Sequence, residues 1–236
     1  MSSSVSALGT LLEEGPGLQA VLLDMDGTLV DTEGCWWQAE REVFAELGHS
    51  LREEWRQVVV GGPMARSAGF LIEATKADIG LEQVSRLLNA RFVECVARMG
   101  QSVPLMPGAG RLLAELTTHG LPAALVSASH RHVVDHMLGS LGHANFACTV
   151  AGDELARTKP HPDPYLTAAE QLGVDPRRCA VLEDTATGVA SAEAAGCRVV
   201  AVPSVAPIEP APGRTIVRSL EEVDLAFLRS LRAVAH

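Results

Sequence analysis

The chain reads as an α/β protein: a doubly wound parallel sheet, with a block of helices inserted after its first strand. Three observations predict this. Short continuous apolar runs recur at residues 20–23, 122–127, 146–150, 179–183 and 198–202, as expected of strands buried on both faces. Amphipathic helical stripes separate the later runs. The stretch from 33 to 102 breaks the alternation and carries helical stripes only.

Taken in order, residues 1–17 read as a flexible N-terminal tail ending in the turn-forming Gly15-Pro16-Gly17. Residues 20–23 form the first strand. Helical spacing then links Trp36, Val43, Phe44 and Leu47, next Ala68, Leu71 and Ile72, and then Val84, Leu87, Leu88, Cys95 and Met99. Trp36, Trp37 and Trp55 all fall in this region, and Val58-Val59-Val60 is its nearest approach to a strand. Residues 33–102 are therefore expected to be an inserted helical cap domain. Residues 18–32 and 103–236 would form a Rossmann-like catalytic core, with Pro104 and Pro107-Gly108 marking the return.

Beyond the return, stripes at Leu112, Leu113 and Leu116, at Val133, Val134, Met137, Leu138 and Leu141, and at Tyr165, Leu166, Ala169 and Leu172 alternate with the remaining apolar runs. A small-residue segment at 187–196 would pack closely on a sheet. Ile216-Val217 supplies a last strand and residues 225–234 a closing helix. Strands alternating with helices imply right-handed βαβ units.

At 236 residues and 47% hydrophobic, the chain can bury roughly 70–75% of its unfolded surface without staples. A formal net charge of −10 argues against nucleic acid and anionic membranes as partners. The N-terminal segment lacks Lys and Arg, and nothing approaches the ~20 apolar residues of a membrane span. The expectation is a cytoplasmic monomer or small homo-oligomer acting on a small molecule. The five cysteines (Cys35, Cys95, Cys148, Cys179, Cys197) show no CxxC or metal spacing and read as reduced, buried hydrophobes.

In an open α/β sheet, ligands bind beyond the carboxyl ends of the strands. Just past the strands of this chain stand Asp24, Asp26, Gly27 and Thr28, then Ser127 opening a helix, later Lys159, and finally Glu183 and Asp184. Carboxylates collected on one rim repel unless a cation sits among them. A hard divalent ion such as Mg²⁺ fits oxygen ligands, and with Lys159 it would make the rim attractive to an anion. Only two lysines, Lys76 and Lys159, stand among the 19 Lys and Arg residues, which hints that Lys159 sits where a guanidinium does not fit. Asp24 and Asp26, two apart in extended chain, face the same way. One could attack phosphorus while the other moves protons.

DMDGTLVDTE, the Ser127 of VSAS, the lysine of TKPHPDPY and LEDTATGVASAEAAG, in this order, resemble the four motifs of the haloacid dehalogenase-like superfamily. The likeness runs over everything after Leu18 and is greatest to sugar-phosphate phosphatases and β-phosphoglucomutase. It implies Asp24 as nucleophile and magnesium ligand. Asp26 would be general acid/base, with its backbone carbonyl on the metal. Thr28, Ser127 and Ala128 would hold phosphate oxygens, Lys159 would offset charge between nucleophile and phosphate, and Asp184 with Glu183 would complete the metal site. In the cap, Trp36 and Arg66 are candidates to touch a sugar or polyol phosphate.

Plainer readings stand beside these. Ser127 could be a helix N-cap, Glu183 an outer group, Trp36 lobe core and Arg66 a solvated side chain. His132 and His136 lie four apart, yet no third ligand is evident. Phosphatase activity through an aspartyl-phosphate is the leading expectation. A phosphomutase is the alternative, weakened because Trp36 stands where β-phosphoglucomutase has a cap histidine. Dehalogenase and phosphonatase relatives depart at the position of Asp26. A silent binding module on the same fold is the remaining alternative.

Overall fold

A computed structural model describes residues 17–59, 64–100 and 103–231. The expected tail (apart from Gly17), Val60, residues 61–63, the end of the expected cap at 101–102 and residues 232–236 lie outside them.

Strands β1 (Ala20–Leu23), β2 (Ala123–Val126), β3 (Cys148–Val150), β4 (Cys179–Glu183), β5 (Arg198–Ala201) and β6 (Arg214–Ile216) form one sheet in the order β3-β2-β1-β4-β5-β6. Every pairing is parallel. β1, β2, β4 and β5 are buried along their whole length, which is why they read as unbroken apolar runs. β6 departs from expectation by starting at Arg214 and ending at Ile216; Val217 is buried beyond its end.

Helices α1 (Glu33–Glu46), α2 (Arg56–Val59), α3 (Met64–Thr75) and α4 (Leu81–Met99) come between β1 and β2. Helices α5 (Ala109–Thr118), α6 (Arg131–Leu141), α7 (Asp163–Leu172), α8 (Ala186–Ala194) and α9 (Leu225–Ser230) occupy the rest of the chain. Val58 and Val59, the most strand-like residues of the insertion, are helical in α2. The sheet carries an apolar layer on each face. Leu23, Leu112 and Leu125 belong to one, and Leu22, Tyr165 and Val181 to the other. Period-2 alternation along β1 thus feeds both layers. The inserted helices have a separate core around Val43, Phe44, Leu71, Val84 and Leu88.

The two crossings into and out of the insertion are tied together: Val30 bridges Leu105, and Asp31 N–H donates to Pro104 C=O over 2.9 Å. The insertion also touches the sheet half of the molecule elsewhere, because Val205, after β5, packs against its core. The chain leaves β1 for β2 and β3 on one side and returns through β4, β5 and β6 on the other. β1 is therefore the switch point of the winding.

Candidate active site

The register puts three strand ends side by side. Leu23 pairs with Leu125 of β2 and with Leu182 of β4, so Asp24 lies between the ends of those strands. Asp24, Glu183 and Asp184 gather into a buried carboxylate group whose ligand atoms lie within 4.8 Å of one another.

Lys159 enters from the loop before α7. Its Nζ donates to Asp24 Oδ1 (2.7 Å), Glu183 Oε1 (2.6 Å) and the Val126 carbonyl (2.9 Å). Three acceptors around one point use all three ammonium protons, a set that a planar guanidinium cannot match. Its side chain is 6% exposed. The two carboxylates hold its pKa above the usual lysine range despite burial, which acts the other way.

Glu183 is spoken for on both oxygens. Oε1 takes Lys159 and the Tyr165 hydroxyl (2.7 Å); Oε2 takes the hydroxyl (3.1 Å) and N–H (3.3 Å) of Thr185. Asp184 is anchored by Ser204 Oγ to Oδ2 (2.5 Å) and loosely by Thr28 Oγ1 to Oδ1 (3.4 Å). Gly27, at φ +82°, turns the chain beneath Asp184, where any added Cβ would strike Asp184 Oδ2. Asp24 Oδ2 is different. It is buried and finds no hydrogen-bond partner among the described residues. A buried carboxylate oxygen left bare costs about 1–3 kcal/mol or more, and a cation would satisfy it.

Asp26 stands outside this acidic group. It is held by hydroxyls: Thr32 Oγ1 to Oδ1 (3.0 Å), and Ser129 Oγ (2.8 Å) and Ser127 Oγ (3.3 Å) to Oδ2. Burial raises its pKa, and the three hydroxyls pull it back. Burial and then the Glu183 charge push Asp24 up to about 7, against the pull of Lys159. Asp184 rises for the same reasons, burial first and the Asp24 charge next. Carboxyls raised in concert describe a site short of positive charge, which a divalent ion supplies. The residues present therefore fit Mg²⁺.

One expectation needs correction. No helix opens at Ser127: α6 begins at Arg131 with His130 as its N-cap. Ser127 instead accepts from Ser129 N–H (2.9 Å) in a local turn, so it is not that helix's cap, and the helix N-terminus does not sit directly behind it. Neither Thr28 nor Ser127 stands free, since each is turned toward an aspartate. Ala128 is exposed on the rim.

Trp36 lays its ring on Phe92 of α4, with centroids 3.9 Å apart and planes 12° from parallel, so one face is taken by packing. Arg66 is exposed, and its charge reaches Glu40. His136 binds the Gly100 carbonyl (2.9 Å) and His132 faces His130; neither joins an acidic group. Sequence reasoning missed Thr32, Ser129, Tyr165 and Ser204. Thr32 and Ser129, flanking the motif residues, were the two it could have found.

Comparison with known proteins gives a consistent picture. A model of the haloacid dehalogenase-like hydrolase family matches residues 21–202. Hexitol phosphatase B of Escherichia coli (strain K12) is 32% identical over 188 residues, 78% of this chain and 83% of that one. A bifunctional riboflavin kinase/FMN phosphatase of Arabidopsis thaliana is 32% identical over 78% of this chain, which spans only 48% of that longer protein. A mutant CbbY from Rhodobacter sphaeroides, solved in complex with xylulose-(1,5)-bisphosphate, superposes with a TM-score of 0.74 at 30% identity. That match covers 89% of this chain and 99% of the other.

Proposed function

The chain belongs to the haloacid dehalogenase-like hydrolases, and from that premise we propose that it is a magnesium-dependent phosphatase of a small sugar or polyol phosphate. The observation that carries the reading is Asp24. Its Oδ1 is clamped by Lys159 at 2.7 Å while its Oδ2 is bare among the described residues.

Asp24, Asp184 and the Asp26 backbone carbonyl would hold the ion, with Glu183 behind them. Glu183 is fully engaged by Lys159, Tyr165 and Thr185, so its part is to position Lys159. The ion, when bound, offsets the charge of the phosphate and keeps Asp24 ionised.

The Asp24 carboxylate attacks phosphorus, the ester P–O bond breaks, and Asp26 gives its proton to the leaving oxygen. Water then attacks phosphorus and gives a proton to Asp26, the P–O bond to Asp24 breaks, and phosphate departs, leaving the Asp24 carboxylate paired with Lys159. Burial, which raises the Asp26 pKa, favours the protonated form that this acid step needs. Thr28, Ser127 and the Ala128 backbone lie at the same rim and would turn toward phosphate oxygens when these arrive. Residues 33–102 act as a cap, hinged where Asp31 meets Pro104, which excludes bulk water when closed. A phosphomutase gains no support, because Trp36, packed on Phe92, cannot shuttle a proton.

The test is phosphate release from a panel of phosphorylated sugars, polyols and an aryl phosphate, with Mg²⁺ or with chelator, beside Asp24→Asn. Release that needs both the metal and Asp24 is the expected result. Release insensitive to either overturns the mechanism, and no release from any ester leaves a binding module.

A further inference from the structure

Glu40 of α1 is a buried carboxyl that the chemistry above does not use. It is 2% exposed, and its Oε2 finds no hydrogen-bond partner among the described residues, a distinction shared there only with Asp24 Oδ2. Ser67 of α3 lies beside the carboxyl, its hydroxyl donating to the Val59 carbonyl, and the Arg66 charge acts on Glu40.

Its place along α1 is telling. Thr32, immediately before the helix, bonds Asp26 at 3.0 Å. Thr32, Trp36 and Glu40 recur at steps of four, a stripe along one side of the helix. Eight residues of helix advance about 12 Å. A phosphate ester held at Asp24 and Asp26 with its carbon chain laid along α1 would bring its far end to Glu40, past Trp36.

We propose that Glu40, with Ser67 beside it, is a specificity-determining residue whose free oxygen accepts a hydrogen bond from a hydroxyl at the far end of the substrate. The substrate is then a monophosphate with a neutral, hydroxylated tail. A bisphosphate would have to bring a desolvated second anion to this buried carboxyl, which is costly. This rests on the phosphatase reading and narrows it.

The experiment compares kcat/KM for a hexitol monophosphate, its analogue lacking the terminal hydroxyls, xylulose 1,5-bisphosphate and an aryl phosphate, using the full chain with Mg²⁺. Wild type should prefer the hexitol ester to its deoxy analogue by roughly three- to tenfold, the worth of a hydrogen bond to a neutral group, and should prefer it to the bisphosphate. In Glu40→Leu the hexitol-to-aryl ratio should fall by about as much, mainly through KM, with partial recovery in Glu40→Gln. Equal loss on both esters would make Glu40 merely structural and overturn the proposal. A wild-type enzyme that ignores the deoxy change overturns it without any variant, so a misfolded Glu40→Leu leaves the test intact. Aryl phosphate turnover that depends on Asp24 but shows no such discrimination sinks this inference alone. No turnover of any ester sinks both.

Discussion

The Tyr165 hydroxyl donates to Glu183 Oε1 over 2.7 Å, on the oxygen that also holds Lys159. Both side chains are fully buried. A helix on one face of the sheet thus reaches through to set the cation that grips the nucleophile. Tyr165→Phe removes one donor and leaves Lys159 the only partner of that oxygen among the described residues. Stability should fall by about 1 kcal/mol, read by denaturant unfolding, and kcat by roughly tenfold as Lys159 loosens.

Lys159→Arg should be no more active than Lys159→Met. The three acceptors around Nζ leave no room for a planar fork. Loss of kcat by about 10²-fold or more is expected for either, measured at saturating Mg²⁺. An arginine variant within a few-fold of wild type would contradict the geometry.

Gly27→Ala should weaken the metal site and spare the fold. The new Cβ would collide with Asp184 Oδ2, at a backbone φ of +82° that favours glycine. Magnesium titration of the phosphatase rate should show the apparent affinity falling at least tenfold, consistent with the sensitivity of metal sites to displaced ligands and their supports.

Ser204→Ala should do the same more gently. It frees the Asp184 oxygen that Ser204 holds at 2.5 Å. A loss of about tenfold in magnesium affinity is expected, with kcat at saturating metal little changed. Unchanged affinity would show that Asp184 is fixed without this hydroxyl.

Glu40 makes stability depend on pH. Burial pushes its carboxyl from 4.5 to about 8 in the folded protein. Between those values the folded state holds a proton that the unfolded state has released. Stability is thus full below 4.5, falls as pH rises, and reaches its minimum above 8. The slope approaches about 1.4 kcal/mol per pH unit within that window. Glu40→Gln should remove this part of the slope when unfolding free energies are compared at pH 5 and pH 8. Parallel pH profiles for the two proteins would show that Glu40 is ordinary.

The strands at 20–23 and 179–183 were legible to the residue, because a run buried on both faces leaves an unbroken apolar signature. β6 was less so. It lies at the sheet edge, half-buried at Arg214 and Thr215 and open at Ile216, so its pattern is diluted. The turn after Ser127 was misread because a serine ahead of a helical stripe is also the usual signal of an N-cap; the helix starts at Arg131 because the chain first bends to bring Ser129 onto Asp26.

By itself the sequence determined which chemical groups end each central strand: Asp24, Ser127, Glu183 and Asp184 are placed by local apolar runs and their punctuation. Only the tertiary structure decided what those groups touch. Tyr165, Ser204 and Ser129 reach their carboxylates from other elements, Ser129 from 103 positions away in the chain. The physical reason is one of range. Periodicity of 2 or 3.6 residues reports which side of an element faces inward, whereas hydrogen bonds between elements depend on strand order and register, which no local pattern encodes.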